Sequence, residues 1–549
     1  MRYLIIILSV LGLTACDEPT RLDSSVDKKV DVAPASPSAS PNDAKVSWYA
    51  GSVDEAFAEA GQKDTPVFLY WGAVWCPPCQ EIKHTVFKTQ AFINLSELFI
   101  PVYLDGDTSA AQAWGETFGV KGYPTMIVFN PEGEEITRIP GGIDITRYND
   151  VLALSLNRMR STASLIQYAL SEPDKLQSRD FEQLAYYSWG QDASAVPADI
   201  DQTKLFHTLA ELAPDGELSS RFFMQYLVAL SHAEEENEEE GNASSVTPLH
   251  MGDDQSALKL RELLLSEELV LACWDSIAYY AEEILQLPIF NDEQRQDLEQ
   301  LWSERVFLLR TNQTLSKAEK MAGWLPRLYV ETRGERDLAA VVQDKLMAEM
   351  AIIDAQTPDS YERQSVINQM SYVLQQAQMK NSARQLLINE LDKSAAPYYF
   401  MSALGSFAEE EGDTDSAIAW RKQAYETAVG DATRFQWGAS YVRALIRMKP
   451  EAADTIATLG NTLIVSFQQT SELFAGRNFR VLKNLDKEIR AWQKNNAVNS
   501  APNSVTFSSK IESLCRIQEG GSVELKNCES LLVAEPQLIE PNAQQSEAS

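Results

Sequence analysis

The stretch Pro66-Val67-Phe68-Leu69-Tyr70-Trp71, followed closely by Trp75-Cys76-Pro77-Pro78-Cys79, decides how this chain folds. The first run is short, apolar and rich in aromatic residues, which predicts a buried parallel strand rather than a helix. Residues 80–87 can continue as a helix. A strand that turns into a helix at this motif places Cys76 at the helix N-terminus, where unpaired backbone N–H groups and the helix dipole favour an anion. The anion expected there is a thiolate.

The two cysteines are expected to have different roles in thiol–disulfide exchange. Only a thiolate attacks a disulfide, and helix N-termini lower the pKa of a cysteine from about 8.5 by roughly one to five pH units. Cys76 is therefore the candidate nucleophile. Cys79, one turn further on, is expected to be less exposed and to resolve the mixed disulfide on Cys76, which leaves a Cys76–Cys79 disulfide. Pro77 and Pro78 suit a first helical turn, but Pro78 removes an N–H that could face the Cys76 sulfur, so the size of the pKa decrease is left open.

The residues around and after this motif resemble the thioredoxin superfamily from about Lys45 to Leu156. The order of predicted elements fits: a strand at 99–105, a helix at 110–118, Gly122-Tyr123-Pro124-Thr125 before a strand at 125–129, a turn at 131–134 into a last strand, then Gly141-Gly142 and a helix from about Ile145. In this superfamily a cis proline lies against the Cys-X-X-Cys. The resemblance implies that Pro124 is that proline. It also implies that the substrate is positioned by residues at both places, namely Trp75, Pro77, Pro78, Tyr123 and Pro124.

The resemblance further implies an enzyme, a thiol–disulfide oxidoreductase that needs no cofactor and acts on client proteins with disulfides or thiols. The Phe-Leu-Tyr strand is similar to that of periplasmic or membrane-attached thioredoxin-like domains, such as the terminal domain of the inner-membrane disulfide-interchange reductase. That similarity favours reduction of clients and implies an upstream membrane electron donor. Oxidation of client thiols uses the same atoms, so the direction is left open.

One position departs from the superfamily pattern. Many thioredoxins carry a buried acidic residue six positions before the first cysteine, and this chain has Tyr70 there. A tyrosine with a pKa of about 10 is a poor base at neutral pH. Water or Glu81 is the alternative for proton transfer to Cys79. His84 is a weaker candidate, because its position on the helix projects to a different side.

The first residues predict export and a lipid anchor. Residues 1–15 contain an apolar core that is too short to span a bilayer, which takes about 20 residues, and this is typical of a signal peptide. Leu13-Thr14-Ala15-Cys16 resembles the bacterial lipobox, which implies lipidation of Cys16 and attachment to a membrane. Asp17 resembles a signal for retention in the inner membrane, so the expected location is the periplasmic side of that membrane. An ordinary cleaved signal peptide is the alternative.

Composition divides the rest of the chain into four segments. Residues 16–44, rich in Asp, Ser, Pro and Ala, predict a flexible tether. Residues 45–158 are the expected thioredoxin-like α/β domain. Residues 159–495 have apolar residues at intervals of three and four, which predicts a large α-helical domain. Residues 496–549 are polar and expected to be largely irregular.

The helical domain is expected to be a stacked array similar to tetratricopeptide repeats (TPR-like). Three apolar positions recur at a shift of 34, the period of that repeat: Met370, Val373 and Ala383 return as Leu404, Phe407 and Ala417. The first copy carries Glu390 where an alanine is expected, and there is no clear third copy. Such arrays present concave surfaces, so we expect this domain to bind a client or partner, or else to be a structural extension. The alternative for the whole chain is a helical scaffold or adaptor lipoprotein whose Cys-X-X-Cys is structural or redox-sensing.

The remaining cysteines have structural interpretations. In an oxidising compartment Cys515 and Cys528 are expected to form a disulfide that closes a loop of about 14 residues and contributes about 3 kcal/mol. Cys273 is expected to be a buried core residue. The acidic run at 234–240 predicts a solvated loop.

Charge and motif content exclude other classes of protein. A net charge of −32 opposes nucleic-acid binding, which needs a basic surface. The four histidines are scattered, and the Cys-X-X-Cys has no second pair at zinc-finger spacing, so no metal site is expected. The sequence also has neither a phosphate-binding glycine loop after a strand nor a Gly-X-Ser-X-Gly elbow.

Overall fold

The computed structural model describes most of the chain after the predicted tether. The described residues are 45–139, 145–156, 160–190, 195–197, 200–214, 216–239, 253–332, 337–465, 472–495, 507–516 and 522–532. The predicted signal peptide, the lipidation site Cys16 and the tether lie outside these residues, as does Gly141-Gly142.

Within the described ranges the sheet has four strands, and the redox motif follows an inner one. The strands are β1 Val67–Gly72, β2 Ile100–Asp105, β3 Thr125–Phe129 and β4 Glu135–Ile139. Their spatial order is β2-β1-β3-β4, with β1 parallel to β2 and the other two pairings antiparallel. The parallel strand predicted before the motif is therefore confirmed.

Helices of the first domain flank this sheet, and side-chain caps define where several of them start. The helices are α1 Val53–Lys63, α2 Pro77–His84, α3 Gln90–Ser96, α4 Ser109–Thr117 and α5 Ile145–Leu154. Ser52 forms a capping box with Glu55, and the hydroxyls of Thr89 and Thr108 accept the backbone N–H three residues on.

The two faces of the sheet belong to different hydrophobic cores. Leu69 and Trp71 of β1 face α1 and α4. Phe68 and Tyr70 point the other way, because side chains alternate along a strand. On that side the core continues without interruption from the sheet into the helical region, as far as Phe407. The thioredoxin-like domain and the helical region thus share one core.

The helical region contains helices α6 to α27. Their bounds are α6 Thr162–Ser171, α7 Ser178–Ala185, α8 Gln202–Leu212, α9 Glu217–Glu239, α10 Asp253–Leu265, α11 Glu267–Ala272, α12 Trp274–Tyr279, α13 Ala281–Leu285, α14 Asp292–Arg305, α15 Phe307–Thr311, α16 Lys317–Ala322, α17 Leu325–Thr332, α18 Ala340–Ala355, α19 Glu362–Gln376, α20 Lys380–Glu390, α21 Pro397–Glu410, α22 Thr414–Thr427, α23 Asp431–Met448, α24 Ala453–Leu463, α25 Gly476–Asn495, α26 Phe507–Arg516 and α27 Ser522–Leu532. Short 3-10 turns lie at Pro173–Lys175 and Glu472–Phe474.

Helices α19 to α22 form two successive pairs that pack one on the next. All six apolar residues of the predicted repeat are buried in them. Glu390, the residue that departs from the repeat, is 1% exposed and accepts two hydrogen bonds from the Arg363 guanidinium, at 2.6 and 2.5 Å. A buried ion pair therefore occupies the place of a small apolar residue. The assignment of the whole array as TPR-like stays a prediction.

Helices form within two segments expected to be irregular, and the loop predicted in the acidic run is wrong as far as Glu239. Within residues 496–549, helices α26 and α27 form and are joined by the Cys515–Cys528 disulfide. Phe507, Ile511 and Leu514 give α26 an apolar face at helical spacing, which buries it against α24 and α25. Helix α9 continues through the acidic run as far as Glu239, because glutamate is a good helix former.

Two further features concern the helical region. Cys273 is a free thiol and is buried, and burial raises its pKa to about 12. None of the helices within the described ranges has both the length and the apolar content to cross a bilayer.

Candidate active site

The loop between β1 and α2 holds the two cysteines together. Gln80 is buried, and its side-chain amide donates hydrogen bonds to the carbonyls of Ala73 and Val74, at 3.1 and 2.8 Å. Cys76 is the N-cap of α2, and the backbone N–H of Cys79 donates to its Sγ at 3.2 Å. A disulfide joins Cys76 and Cys79. The Cys76 sulfur thus occupies the position where a helix stabilises negative charge.

The other side of the site is formed by the loop before β3. The Tyr123–Pro124 peptide bond is cis, as the resemblance implied. The rings of Tyr123 and Trp75 lie 6.3 Å apart, and both rings pack on the cysteine pair. The side-chain amide of Gln112 donates to the Tyr123 hydroxyl at 3.3 Å. Of the two prolines in the motif, Pro77 is buried and Pro78 is exposed.

Tyr70 and His84, two of the residues considered for proton transfer to Cys79, lie in different surroundings. Tyr70 is fully buried; burial, together with nearby acidic groups, raises its pKa well above 10, so it cannot act as a base at neutral pH. Its hydroxyl points at the Cys79 carbonyl, at 3.5 Å. His84 lies away from the sulfurs: its Nδ1 contacts the Gln80 carbonyl at 2.7 Å, and its Nε2 lies 3.0 Å from Asp359 of the helical region.

Glu81 also contacts the helical region. Its carboxyl group accepts a hydrogen bond from the Ser316 hydroxyl at the start of α16. Burial raises the pKa of Glu81 to about 7, with a smaller contribution from Glu362, while the bond from Ser316 lowers it. Glu81 can therefore exchange a proton at neutral pH.

The helical region covers the redox pair. Cys76 is 1% exposed and Cys79 is 0% exposed. Trp75 contacts three helices: its ring stacks on Tyr399 at 6.2 Å and meets Trp437 edge-on at 6.3 Å, and its carbonyl accepts a hydrogen bond from Gln364. The sequence does not predict the roles of Tyr399 and Trp437, because no neighbouring residue distinguishes an aromatic side chain at a domain contact from one in a helical core.

Around this contact, side chains of the thioredoxin-like domain accept hydrogen bonds from the helical region. Asp107, in the loop after β2, accepts the N–H of Thr433 at 2.6 Å and its hydroxyl at 2.9 Å. Helix α23, which has Gly430 as its N-cap and no cap from its own side chain, is therefore capped by the thioredoxin-like domain. Gly430 has φ of 91°, and a Cβ there would lie 2.6 Å from the Asp107 carboxyl carbon. Only glycine fits this contact.

A second such contact involves α4 and the start of α25. The Gln112 side-chain oxygen accepts the N–H of Asn478 at 3.2 Å, and Glu116 accepts the N–H of Gly476 at 3.0 Å. Gln112 therefore links Tyr123 of the active site to helix α25. Within the described ranges, no cluster of His, Cys, Asp and Glu side chains suits a metal ion.

Comparison with known proteins identifies the first domain. Residues 53–155 match a family described as a thioredoxin-like domain. No curated protein matches the chain. The chain thus contains a thioredoxin-like domain with a Cys-X-X-Cys pair, followed by an all-helical region, as the sequence predicts.

Proposed function

We propose that the chain, whose residues 53–155 form a thioredoxin-like domain, is a thiol–disulfide oxidoreductase that reduces client disulfides through Cys76 and Cys79. The observation that supports this most directly is the position of Cys76. Its sulfur lies at the N-cap of α2 and within bonding distance of Cys79. A helix N-terminus favours the thiolate, which is the reactive form.

The reaction proceeds by two exchanges of sulfur. The Cys76 thiolate attacks one sulfur of the client disulfide, a Cys76–client disulfide forms, and the other client sulfur leaves as a thiolate and takes up a proton. Cys79 then loses its proton and attacks the Cys76 Sγ, which releases the second client thiol. The enzyme is left with the Cys76–Cys79 disulfide, and an electron donor of the membrane would reduce it again. The opposite direction uses the same steps in reverse.

Access to the sulfurs requires the helical region to move. Trp75, Cys76 and Tyr123 form the side of the domain that would meet a client, and Tyr399 and Trp437 lie against it. A protein client must displace these aromatic rings before a disulfide can reach Cys76. In this proposal the helical region therefore controls which clients reach the redox pair, and it holds them while they react.

The cellular location is part of the proposal and is supported by the sequence alone. Residues 1–15 have the features of a signal peptide, and Cys16 follows a lipobox-like sequence. Lipid on Cys16 would tether the enzyme, through residues 16–44, to the periplasmic side of the inner membrane.

Substitution of each cysteine tests the activity. With Cys79→Ser, the mixed disulfide on Cys76 cannot be resolved, so clients should remain covalently attached and be identifiable by mass spectrometry of the envelope fraction. With Cys76→Ser, no client should be attached and turnover should stop, while the melting temperature of the reduced protein stays close to that of the reduced wild type. Attachment to neither variant would contradict the proposal.

The burial of the pair favours a second candidate, an adaptor that binds envelope proteins through its helices and uses the Cys-X-X-Cys as a structural or redox-sensing element. This candidate predicts that partners bind equally well to the wild type and to Cys76→Ser, and that Cys79→Ser traps no protein. Affinity purification with both variants separates the two functions.

A further inference from the structure

Five buried nitrogen donors near the redox pair have no hydrogen-bond acceptor among the described residues. Three are the guanidinium nitrogens of Arg477, and the others are the indole nitrogens of Trp75 and Trp437. The Arg477 guanidinium lies 4.9 Å from the Trp75 ring and 5.3 Å from the Tyr123 ring, and Trp75 contacts Trp437. These donors therefore belong to one cluster beside Cys76.

Arg477 is held in place by aromatic rings and by the charge of Asp107, without a hydrogen-bond acceptor. Its side chain is 12% exposed, and the nearest carboxylate oxygen, on Asp107, is 3.9 Å from Nη2, too far for a hydrogen bond. Both oxygens of Asp107 already accept hydrogen bonds from Thr433. A buried guanidinium without acceptors is unfavourable, because the hydrogen bonds it made to water have not been replaced.

We propose that Arg477, together with the indole N–H groups of Trp75 and Trp437, binds a carboxylate of the substrate, an acidic side chain close to the reacting cysteine of a client. This inference rests on the proposed function and assigns the substrate class. A guanidinium presents paired N–H groups that match the two oxygens of a carboxylate. The carboxylate would lie beside Trp75, the residue before Cys76, and beside Tyr123, the residue before Pro124.

The position of Arg477 on the helical region gives this site its selectivity. Trp75 and Tyr123 come from the thioredoxin-like domain and Arg477 from the helical region, so a client that separates the aromatic rings enters between the donors of the two parts. A substrate carboxylate would bridge them. A client without an acidic group would leave the buried donors unpaired, which makes it a poorer substrate.

Two arginines distinguish this buried site from the acidic chain around it. The chain has a net charge of −32, so an acidic ligand is repelled in general. Arg477 and Arg480 lie in the first turns of α25. Arg480 donates a hydrogen bond, at 3.1 Å, to the carbonyl of Lys121 in the loop before β3, the loop that contains Tyr123. Both arginines lie close to Tyr123, where Asp107 and Glu116 offset part of their charge.

The test compares two peptide disulfides that differ only in a glutamate or a glutamine beside the cysteine. Each is mixed with the reduced full chain, and the oxidation of the Cys76–Cys79 pair is followed by stopped-flow tryptophan fluorescence. We expect the glutamate peptide to react about tenfold faster or more, which is the usual weight of a hydrogen bond to a charged group. The preference should vanish in Arg477→Gln and be partly kept in Arg477→Lys. The matched control is Arg434→Gln, which should keep the preference for glutamate. Arg434 is an exposed arginine of α23 that lies over the ring of Tyr425.

A preference that survives Arg477→Gln, or a wild type that reacts equally with both peptides, would overturn the inference. A second measurement does not depend on turnover: the same peptides with serine in place of cysteine are titrated against the oxidised protein, and we expect tighter binding of the glutamate form that Arg477→Gln removes. If neither disulfide oxidises the reduced pair, the proposed function fails, and the titration still decides whether the carboxylate site exists.

Discussion

Asp107→Ala should uncover the redox pair without unfolding the protein. Asp107 caps helix α23 from the other part of the chain through two hydrogen bonds, at 2.6 and 2.9 Å. Loss of an N-cap costs about 0.5–2 kcal/mol. Burial raises the pKa of Asp107, which means that desolvation of the carboxylate offsets part of the stabilisation from its hydrogen bonds. We therefore estimate that the contact stabilises the covered form by about 1–2 kcal/mol. Because about 1.4 kcal/mol is a factor of ten, the open fraction should rise about 5- to 30-fold.

Thiol labelling of the reduced protein measures this opening. When the covered and open forms exchange quickly, the rate of maleimide addition to Cys76 is proportional to the open fraction. The rate in Asp107→Ala should therefore rise by the same 5- to 30-fold estimate. Cys273 is an internal control, because this buried thiol reacts only when the helical region unfolds, and its rate should rise much less. Mass spectrometry of the separated peptides distinguishes the sites.

The matched control is Asp413→Ala. Asp413 caps α22 through the N–H of Ser416 at 3.0 Å, entirely within the helical region. Its loss should lower stability by a similar amount and leave the labelling of Cys76 within about twofold of the wild type. Equal labelling rates in Asp107→Ala and Asp413→Ala would refute the reasoning. So would a wild-type Cys76 that reacts as fast as an exposed cysteine.

Three further predictions concern stability. Burial raises the pKa of Glu81 to about 7, so the folded state binds this proton more tightly than the unfolded state, and the free energy of unfolding should fall as the pH rises from about 4.5 through 7. In urea unfolding, Glu81→Gln should therefore be as stable as the wild type at pH 4 and more stable at pH 8.5, by up to about 3 kcal/mol. Replacement of both Cys515 and Cys528 by serine should cost about 3 kcal/mol in oxidising buffer, and the difference should disappear when the wild type is reduced. Arg363→Met should lower the free energy of unfolding by about 3–5 kcal/mol, because it leaves Glu390 charged and buried. The double variant with Glu390→Ala should recover part of the lost melting temperature. No recovery would show that the ion pair is not the cause.

Local sequence was sufficient for the redox motif and the strands around it. The apolar run at 67–71 is long enough for a strand and too short for a helix, and the motif follows it directly, so the N-cap position of Cys76 could be predicted from neighbouring residues. The cis geometry of Pro124 followed from the resemblance and not from the residues themselves. The helical character of the second region was likewise visible in its spacing of apolar residues.

What could not be predicted is how the two parts meet. Gln364 bonds to Trp75 across 289 residues of sequence, and Thr433 bonds to Asp107 across 326. Hydrophobic periodicity shows which side of a helix is apolar, but not which surface covers that side. The burial of Cys76, the capping of α23 and the position of Arg477 all depend on this long-range contact, so none of them has a local signal.

The distance along the chain between the thiols and their cover also has a consequence for biosynthesis. Trp75 and the cysteines are made long before Trp437 and Arg477, the residues that close over them. At about 5–20 residues per second, the interval is on the order of tens of seconds. During that time the sulfurs are not yet covered by Trp437 and Arg477. A nascent chain therefore passes through a stage in which its cysteines can react with other thiols or disulfides, and only the complete fold limits that access.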